Sequence, residues 1–220
     1  MSSGGLQLDV RILGRVDYGE TLELQRSLHQ LLVEGLVGDT LIVCSHNPVI
    51  TCGSSTAKEH ILVPEEKLLS ERGLEVHAIE RGGSVTYHGP EQSICYPIIN
   101  LRNHKTDVAW YMRSLEEVIL RTLRDFGIQP TTIPGKTGVW IDKSSKIAFI
   151  GVRISRWCTR HGLSLNVLPC ADRFECINPC GLGNIRVVSL SDFCSQPLLL
   201  DDVNQGLVAH FCEIFRYTPR

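Results

Sequence analysis

Three stretches of the chain repeat apolar residues at the spacing of one helix face. Over residues 18–34, Leu24, Leu28, Leu31 and Leu32 fall on one side. Over residues 106–126 the stripe is Val108, Met112, Leu115, Val118, Ile119, Thr122 and Phe126, and Gly127 supplies a C-terminal cap. Over residues 201–215 it is Val203, Leu207, Val208, Phe211 and Phe215. A shorter helix over 64–72 stops at Gly73. Between the helices lie short runs of strand character at 40–45, 74–80, 93–100, 138–142, 146–154 and 163–167. The runs at 138–142 and 146–154 flank Lys143-Ser144-Ser145, a polar loop of hairpin length.

The helices are too few and too unevenly placed for strict strand–helix alternation. The pattern predicts an α+β fold, a mixed sheet with helices packed against it. No repeat, low-complexity tract or Pro/Ser-rich linker divides the 220 residues, so residues 1–220 read as a single domain.

Composition narrows the function classes. Apolar residues make up 43% and charged residues 21%, ordinary globular usage, which argues against disorder. The formal net charge of −2 shows no Lys/Arg excess of the kind nucleic-acid binding uses. No apolar run reaches the ~18 residues that a bilayer span needs. The first ten residues lack the features of a signal or transit peptide, so the expected location is the cytoplasm and no membrane partner is expected. The nine cysteines, at 44, 52, 95, 158, 170, 176, 180, 194 and 212, are odd in number and include no C-x-x-C pair. Most therefore read as small buried hydrophobes in a reducing compartment, leaving room for one nucleophile.

Four stretches concentrate glycine, histidine and polar residues: 81–90 (RGGSVTYHGP), 146–151 (KIAFIG), 161–166 (HGLSLN) and 178–182 (NPCGL). In the first, a glycine pair before Val85-Thr86-Tyr87 lets backbone approach a ligand closely. The plainer reading is a turn with a solvated Arg81, and a single Arg-Gly-Gly also occurs as a fragment of RNA-binding repeats. Lys146 opens an apolar strand. It is either an edge lysine that blunts strand pairing, or a lysine drawn into a half-buried site where desolvation favours proton exchange. Cys180 stands in Pro-Cys-Gly, a tight turn that suits a presented nucleophile, although a buried loop cysteine fits the same three residues. A nearby ammonium would raise its thiolate fraction. His161, Cys170, Cys176 and Cys180 lie within twenty residues, but their spacing lacks a zinc knuckle, and no metal or cofactor is expected. There is no G-x-S-x-G and no Walker-type loop.

Taken together and in order, these stretches resemble the lipoyl(octanoyl) transferases, from Gly14-Arg15-Val16-Asp17-Tyr18 and His46-Asn47-Pro48-Val49 through to Val187-Val188-Ser189-Leu190. The strongest parts are the 81–90 motif, Gly138-Val139-Trp140, 146–153, Trp157-x-Thr-x-His-Gly162 and Pro179-Cys180-Gly181-Leu182. The resemblance implies a fold similar to biotin and lipoate protein ligases. It also implies a reaction: an octanoyl group arrives on acyl carrier protein, passes to Cys180 as a thioester, and then to a lysine of a lipoyl domain, such as that of a dehydrogenase E2 subunit or a glycine cleavage H protein. Lys146 is implied as the partner of Cys180. Arg81, Gly82, Gly83, Ser84, Val85, Thr86, Tyr87 and His88 would line the substrate pocket, with Phe149, Ile150, Gly151, Gly162, Leu163 and Ser164 completing its walls.

The sequence departs from the family pattern at Ser54, Ser84, Glu91 and Ser164, where arginine, aspartate or similar, glycine and alanine are usual. None of these is Cys180 or Lys146, so they bear on pocket shape, chain length and carrier recognition. The competing readings are an ATP-dependent lipoate or biotin ligase of the same fold, an amidotransferase moving acyl groups between carrier proteins, and a binding module in which Cys180 is structural.

Overall fold

The computed structural model describes residues 5–179 and 185–220. Twelve strands and four α-helices alternate irregularly along these residues. They are β1 (Leu6–Val16), α1 (Tyr18–Val33), β2 (Thr40–His46), β3 (Val49–Cys52), α2 (Glu65–Arg72), β4 (Glu75–Ala78), β5 (Val85–His88), β6 (Gln92–Ile98), α3 (Val108–Asp125), β7 (Thr131–Ile133), β8 (Lys136–Trp140), β9 (Ser145–Ser155), β10 (Cys158–Asn166), β11 (Arg186–Val187), α4 (Leu200–Phe215) and β12 (Tyr217–Pro219). Asp17 and Asp107 cap α1 and α3 by accepting the backbone amides of Glu20 and Trp110. The helix α2 stops at Gly73, as its sequence predicts.

The strands form a large mixed sheet, in the order β12-β1-β2-β6-β10-β9-β8-β7 with β11 also on β9, and a small sheet, β4-β3-β5. The pairs β1–β12, β1–β2, β9–β11 and β3–β4 are parallel and the other pairs antiparallel. This is the α+β architecture expected.

Alternation along β2 shows why both faces of the large sheet are covered. Leu41 and Val43 join the core under α3 and α4, whereas Ile42 and Cys44 pack with Leu28 and Leu32 of α1. Successive side chains thus enter opposite apolar layers, and the strand reads as an unbroken apolar run. The small sheet and α2 enclose a further cluster, in which Ile50, Leu68, Val85 and Tyr87 meet Phe149 of β9 and Phe174.

The strand β9 lies between β8 on one side and β10, continued by β11, on the other, and Lys146 is paired on both sides, with Trp140 and Val187. Lys146 is therefore not an edge lysine, which removes the plainer of its two readings. Six of the eight described cysteines, Cys44, Cys95, Cys158, Cys170, Cys176 and Cys212, are buried.

Candidate functional site

A cavity lies between the two sheets, built from three of the four stretches singled out in the sequence. It is lined by Arg81, Gly83, Ser84, Val85, Thr86 and His88 from the first, Phe149, Ile150 and Gly151 from β9, and Gly162, Leu163 and Ser164 from β10. Tyr18, Tyr96 and His161 complete it, and it spans about 480 Å³ including its opening. The register explains the convergence: Gly162 pairs with Gly151 and Ser164 with Phe149, so each pair shares a sheet face. At Gly162 a methyl group would sit 2.1 Å from the Cys95 carbonyl oxygen, so no larger residue fits there.

Two residues expected in the lining lie elsewhere. Tyr87 alternates away from Thr86 and His88, packs edge-on against Phe174, and donates its hydroxyl to Glu91. The Gly82 amide donates to the Val152 carbonyl at 2.9 Å, so it ties the loop to β9 and is not available to a substrate oxygen. Arg81 is buried, contrary to the reading of a solvated turn residue. Its guanidinium donates to the carbonyls of Gly82, Ser84 and Thr51 and to Thr51 Oγ1. Arginine here fixes the shape of a glycine-rich loop by gathering its carbonyls.

The departures from the family pattern can be placed. Ser84 Oγ lies 2.6 Å from Nδ1 of His60, which also accepts the Ala57 amide, so the serine is the donor. Glu91 accepts the Tyr87 hydroxyl behind the cavity. The Ser54 amide donates to the Arg81 carbonyl. Ser164 Oγ faces no partner among the described residues. It shares that condition with Thr86 Oγ1 and His161 Nε2, two other buried atoms of the same lining. Unpaired buried polar atoms are uncommon, and three in one cavity wall mark a place where a ligand or water completes the bonding.

Burial lowers the pKa of three histidines of this region, His161, His46 and His88. His161, held by burial and by the neighbouring Arg160 and Arg81 charges, is pushed down to about 3. Burial likewise lowers His46 to about 4, where it bonds the Val16 carbonyl and Tyr96 hydroxyl. His88 is shifted well down for the same reason. Its tautomer follows from its neighbours. The Gln92 amide nitrogen donates to the Tyr87 carbonyl and to Asn166 Oδ1, so Gln92 Oε1 accepts and His88 Nδ1 carries the proton. Asn166 in turn donates to the Val188 carbonyl. Neither Gln92 nor Asn166 was expected as a site residue. Asn166 ends the 161–166 stretch, and Gln92 lies two residues beyond the 81–90 stretch.

Lys146 is 1% exposed, among the most deeply buried large side chains. Its Nζ donates to the Thr137 carbonyl at 2.8 Å and lies 5.0 and 4.8 Å from the ring centres of Trp140 and Phe149. A register shift between Val139 and Trp140 sets Lys146 opposite Trp140. In an unbroken strand residues 146 and 149 would face opposite sides; the irregularity lets lysine and phenylalanine meet.

Cys180 lies outside the described residues, as do Gly181 and Leu182. Its chain neighbours are placed. Pro179 is buried, Asn178 donates its amide to the His60 carbonyl, and Val187 pairs with Lys146. Pro179, Ile185 and Val187 line one further cavity together with Phe174, whose ring stacks on Phe149 at 5.2 Å.

The catalytic-domain model of lipoyl protein ligases A and B matches residues 17–212. An octanoyltransferase from Roseiflexus sp. is 40% identical over 96% of this chain and 89% of its own length. The chain belongs to the octanoyltransferase family. Octanoyltransferases of Koribacter versatilis and Chloroflexus aggregans are each 41% identical, covering 95% and 96% of the chain and 84% and 96% of their own lengths. As a member of this family the chain is an acyltransferase enzyme. The fold agrees with solved structures of low sequence identity. Lipoate-protein ligase A bound with ATP superposes at a TM-score of 0.73 with 16% identity, over 98% of this chain and 87% of the other. A bi-partite lipoate protein ligase from Thermoplasma acidophilum gives 0.72 with 15% identity, over 98% and 86%. The apo biotin protein ligase of Aquifex aeolicus gives 0.51 with 10%, over 96% and 69%. These likenesses establish the biotin/lipoate ligase fold for this octanoyltransferase family member. Its candidate site is the polar cavity between the sheets, continued by the aromatic cage around Lys146.

Proposed function

We propose that this protein moves an octanoyl group from octanoyl-acyl carrier protein to a lysine of a lipoyl domain, through a thioester on Cys180 with Lys146 as its proton-handling partner. The observation that carries this reading is the burial of Lys146 in a cage of Trp140 and Phe149, on the strand that floors the cavity and pairs with Val187. A lysine sunk this deeply needs a purpose, because burying an ammonium is costly unless it is held by specific partners. Pro179, covalently joined to Cys180, is fixed at the border of the same region, and adjacent Cα atoms are about 3.8 Å apart.

In this mechanism the Cys180 thiolate, favoured by the Lys146 ammonium, attacks the thioester carbonyl of the donor. Lys146 gives its proton to the departing donor thiol and is left as the neutral amine, and the acyl group remains on Cys180 as a new thioester. The two thioesters are nearly equal in energy, so no ATP enters. The acceptor lysine then attacks as the free amine, Lys146 or a water it orients takes up the amine proton, and Cys180 is released as the thiolate. The cavity lined by Phe149, Ile150, Gly151, Gly162, Leu163 and Ser164 holds the acyl chain during both steps.

Intact-mass measurement after mixing with octanoyl-acyl carrier protein, without ATP or Mg²⁺, tests the scheme. Wild type gains one octanoyl group and Cys180→Ala gains none. An adduct of unchanged size on Cys180→Ala would move the nucleophile elsewhere, and a requirement for ATP would favour a ligase.

A further inference from the structure

Glu116 of α3 is as buried as Lys146, at 1% exposure, and neither composition nor helix periodicity marks it for that position. Its Oε1 accepts the backbone amide of Gly138 at 3.0 Å, and its Oε2 contacts the guanidinium of Arg113. The carbonyl that accepts from Lys146 Nζ belongs to Thr137. The Thr137 carbonyl and the Gly138 amide are the two ends of one peptide group. That group is planar and trans, so its N–H and C=O point in opposite directions. A carboxylate and an ammonium therefore grip the same peptide from opposite sides, one from the helix and one from the cage.

Two further features fit this arrangement. Gly138 has φ of +112°, a conformation that a side chain would strain, and a methyl group there would lie 2.5 Å from the Ala148 carbonyl oxygen and 2.8 Å from Lys146 Cε. Glycine is thus required both for the backbone angle and for the lysine's approach. The second feature is electrostatic. A negative charge at the amide end polarises the peptide and strengthens its carbonyl as an acceptor for a cation. Arg113, 55% exposed, sits on the far side of the carboxylate and balances it towards solvent.

We infer that Glu116 is a positioning residue for acyl transfer: acting through the Thr137–Gly138 peptide, it fixes where the Lys146 ammonium stands. The inference rests on the reading of Lys146 as the proton-handling partner. A displacement of about 1 Å at such a group costs on the order of 100-fold in rate.

The test compares single-turnover acylation by octanoyl-acyl carrier protein in wild type, Glu116→Gln, Glu116→Leu and Lys146→Met, with thermal unfolding of each. Glutamine keeps an acceptor for the Gly138 amide and removes the charge; leucine removes both. Glu116→Leu is expected to lose about 100-fold in the saturating acylation rate, with half-saturating donor concentration within twofold of wild type. Glu116→Gln is expected to recover at least tenfold of that loss. Wild-type saturating rate in Glu116→Leu, a loss confined to donor affinity, or equal losses in both variants that track unfolding temperature would each overturn the inference. Full activity in Lys146→Met would instead sink the reading of Lys146 on which the inference stands.

Discussion

The two faces of the large sheet are built to different rules. Under α3 and α4, Leu41, Val43, Leu163 and Leu165 of the strands meet Leu115, Ile119, Leu123, Phe211 and Phe215, a layer dominated by carbon. On the opposite face β10 presents Gly162 and Ser164 to a cavity ringed by Arg81, Thr86, His88 and His161, with buried Gln92 and Asn166 hydrogen-bonded behind His88. The first face gains stability by excluding water from apolar surface. The second keeps polar groups buried, three of them unpaired, in a place that stability alone would fill with leucine. Substitutions should therefore separate activity from stability according to face, and Lys146 gives the widest separation. Lys146→Ala is expected to slow transfer about 10³-fold, the middle of the range for a proton-transferring side chain. Single-turnover kinetics with octanoyl-acyl carrier protein measures it, and a loss below tenfold would remove Lys146 from the chemistry.

The reverse experiment belongs on the helical face. Phe211 is stacked on Phe215 with ring centres 4.4 Å apart and is almost wholly buried. Phe211→Ala should cost about 3–5 kcal/mol by leaving a cavity, read from the urea midpoint at unchanged slope. The turnover of the molecules that remain folded should stay within twofold of wild type. A large drop in turnover per folded molecule would mean that the two faces are coupled more tightly than their packing implies.

How far each face was legible from the sequence follows from the same contrast. The apolar face writes itself in periodicity: residues 106–126 and 201–215 predict α3 and α4 to within two residues at each end. The strands β1 and β3 were not anticipated. In β1, Asp9, Arg11 and Arg15 interrupt the apolar pattern because much of the strand is only half covered. β3 has four residues and gains its identity from pairing with β4 and β5, contacts no local pattern encodes. In the candidate site, resemblance pointed to the loop and the strands that converge on the cavity. Glu116 stayed invisible because its stripe, Leu115 and Ile119, labels the helix as packing surface, and a carboxylate beside that stripe looks solvated. Its partner is a backbone amide, and backbone amides leave no mark in a sequence.

Acidification should strike the polar face first. His161 is pushed down to about 3 and His46 to about 4, whereas an unfolded histidine titrates near 6.5. The unfolded chain therefore binds protons that the folded chain refuses. Stability is complete above the unfolded value and falls as pH drops from about 6.5 towards the folded values. Between pH 7 and pH 5 each such histidine should remove about 2 kcal/mol. Urea unfolding at those two pH values measures the loss. His46→Gln should flatten it by about one histidine's share, and an unchanged dependence would mean that His46 titrates in the fold much as it does in the unfolded chain.

The smallest effect tests whether the unpaired polar wall belongs to the acyl site. In the free protein, water can serve Ser164 Oγ, since a polar cavity of this size admits it. An octanoyl chain displaces that water and offers no hydrogen bond in return, so binding leaves the hydroxyl unserved at a cost of about 1 kcal/mol or more. Ser164→Ala removes that cost. It should tighten binding of a non-transferable octanoyl thioether about fivefold, with little change for an acetyl analogue too short to reach the serine. Thr122→Val on the opposite face supplies the contrast, because the Thr122 hydroxyl bonds within its own helix and no ligand meets it. If both substitutions leave octanoyl affinity unchanged, the acyl chain does not run past Ser164. If Ser164→Ala weakens binding, the hydroxyl holds part of the substrate, and the wall is there to recognise a polar group.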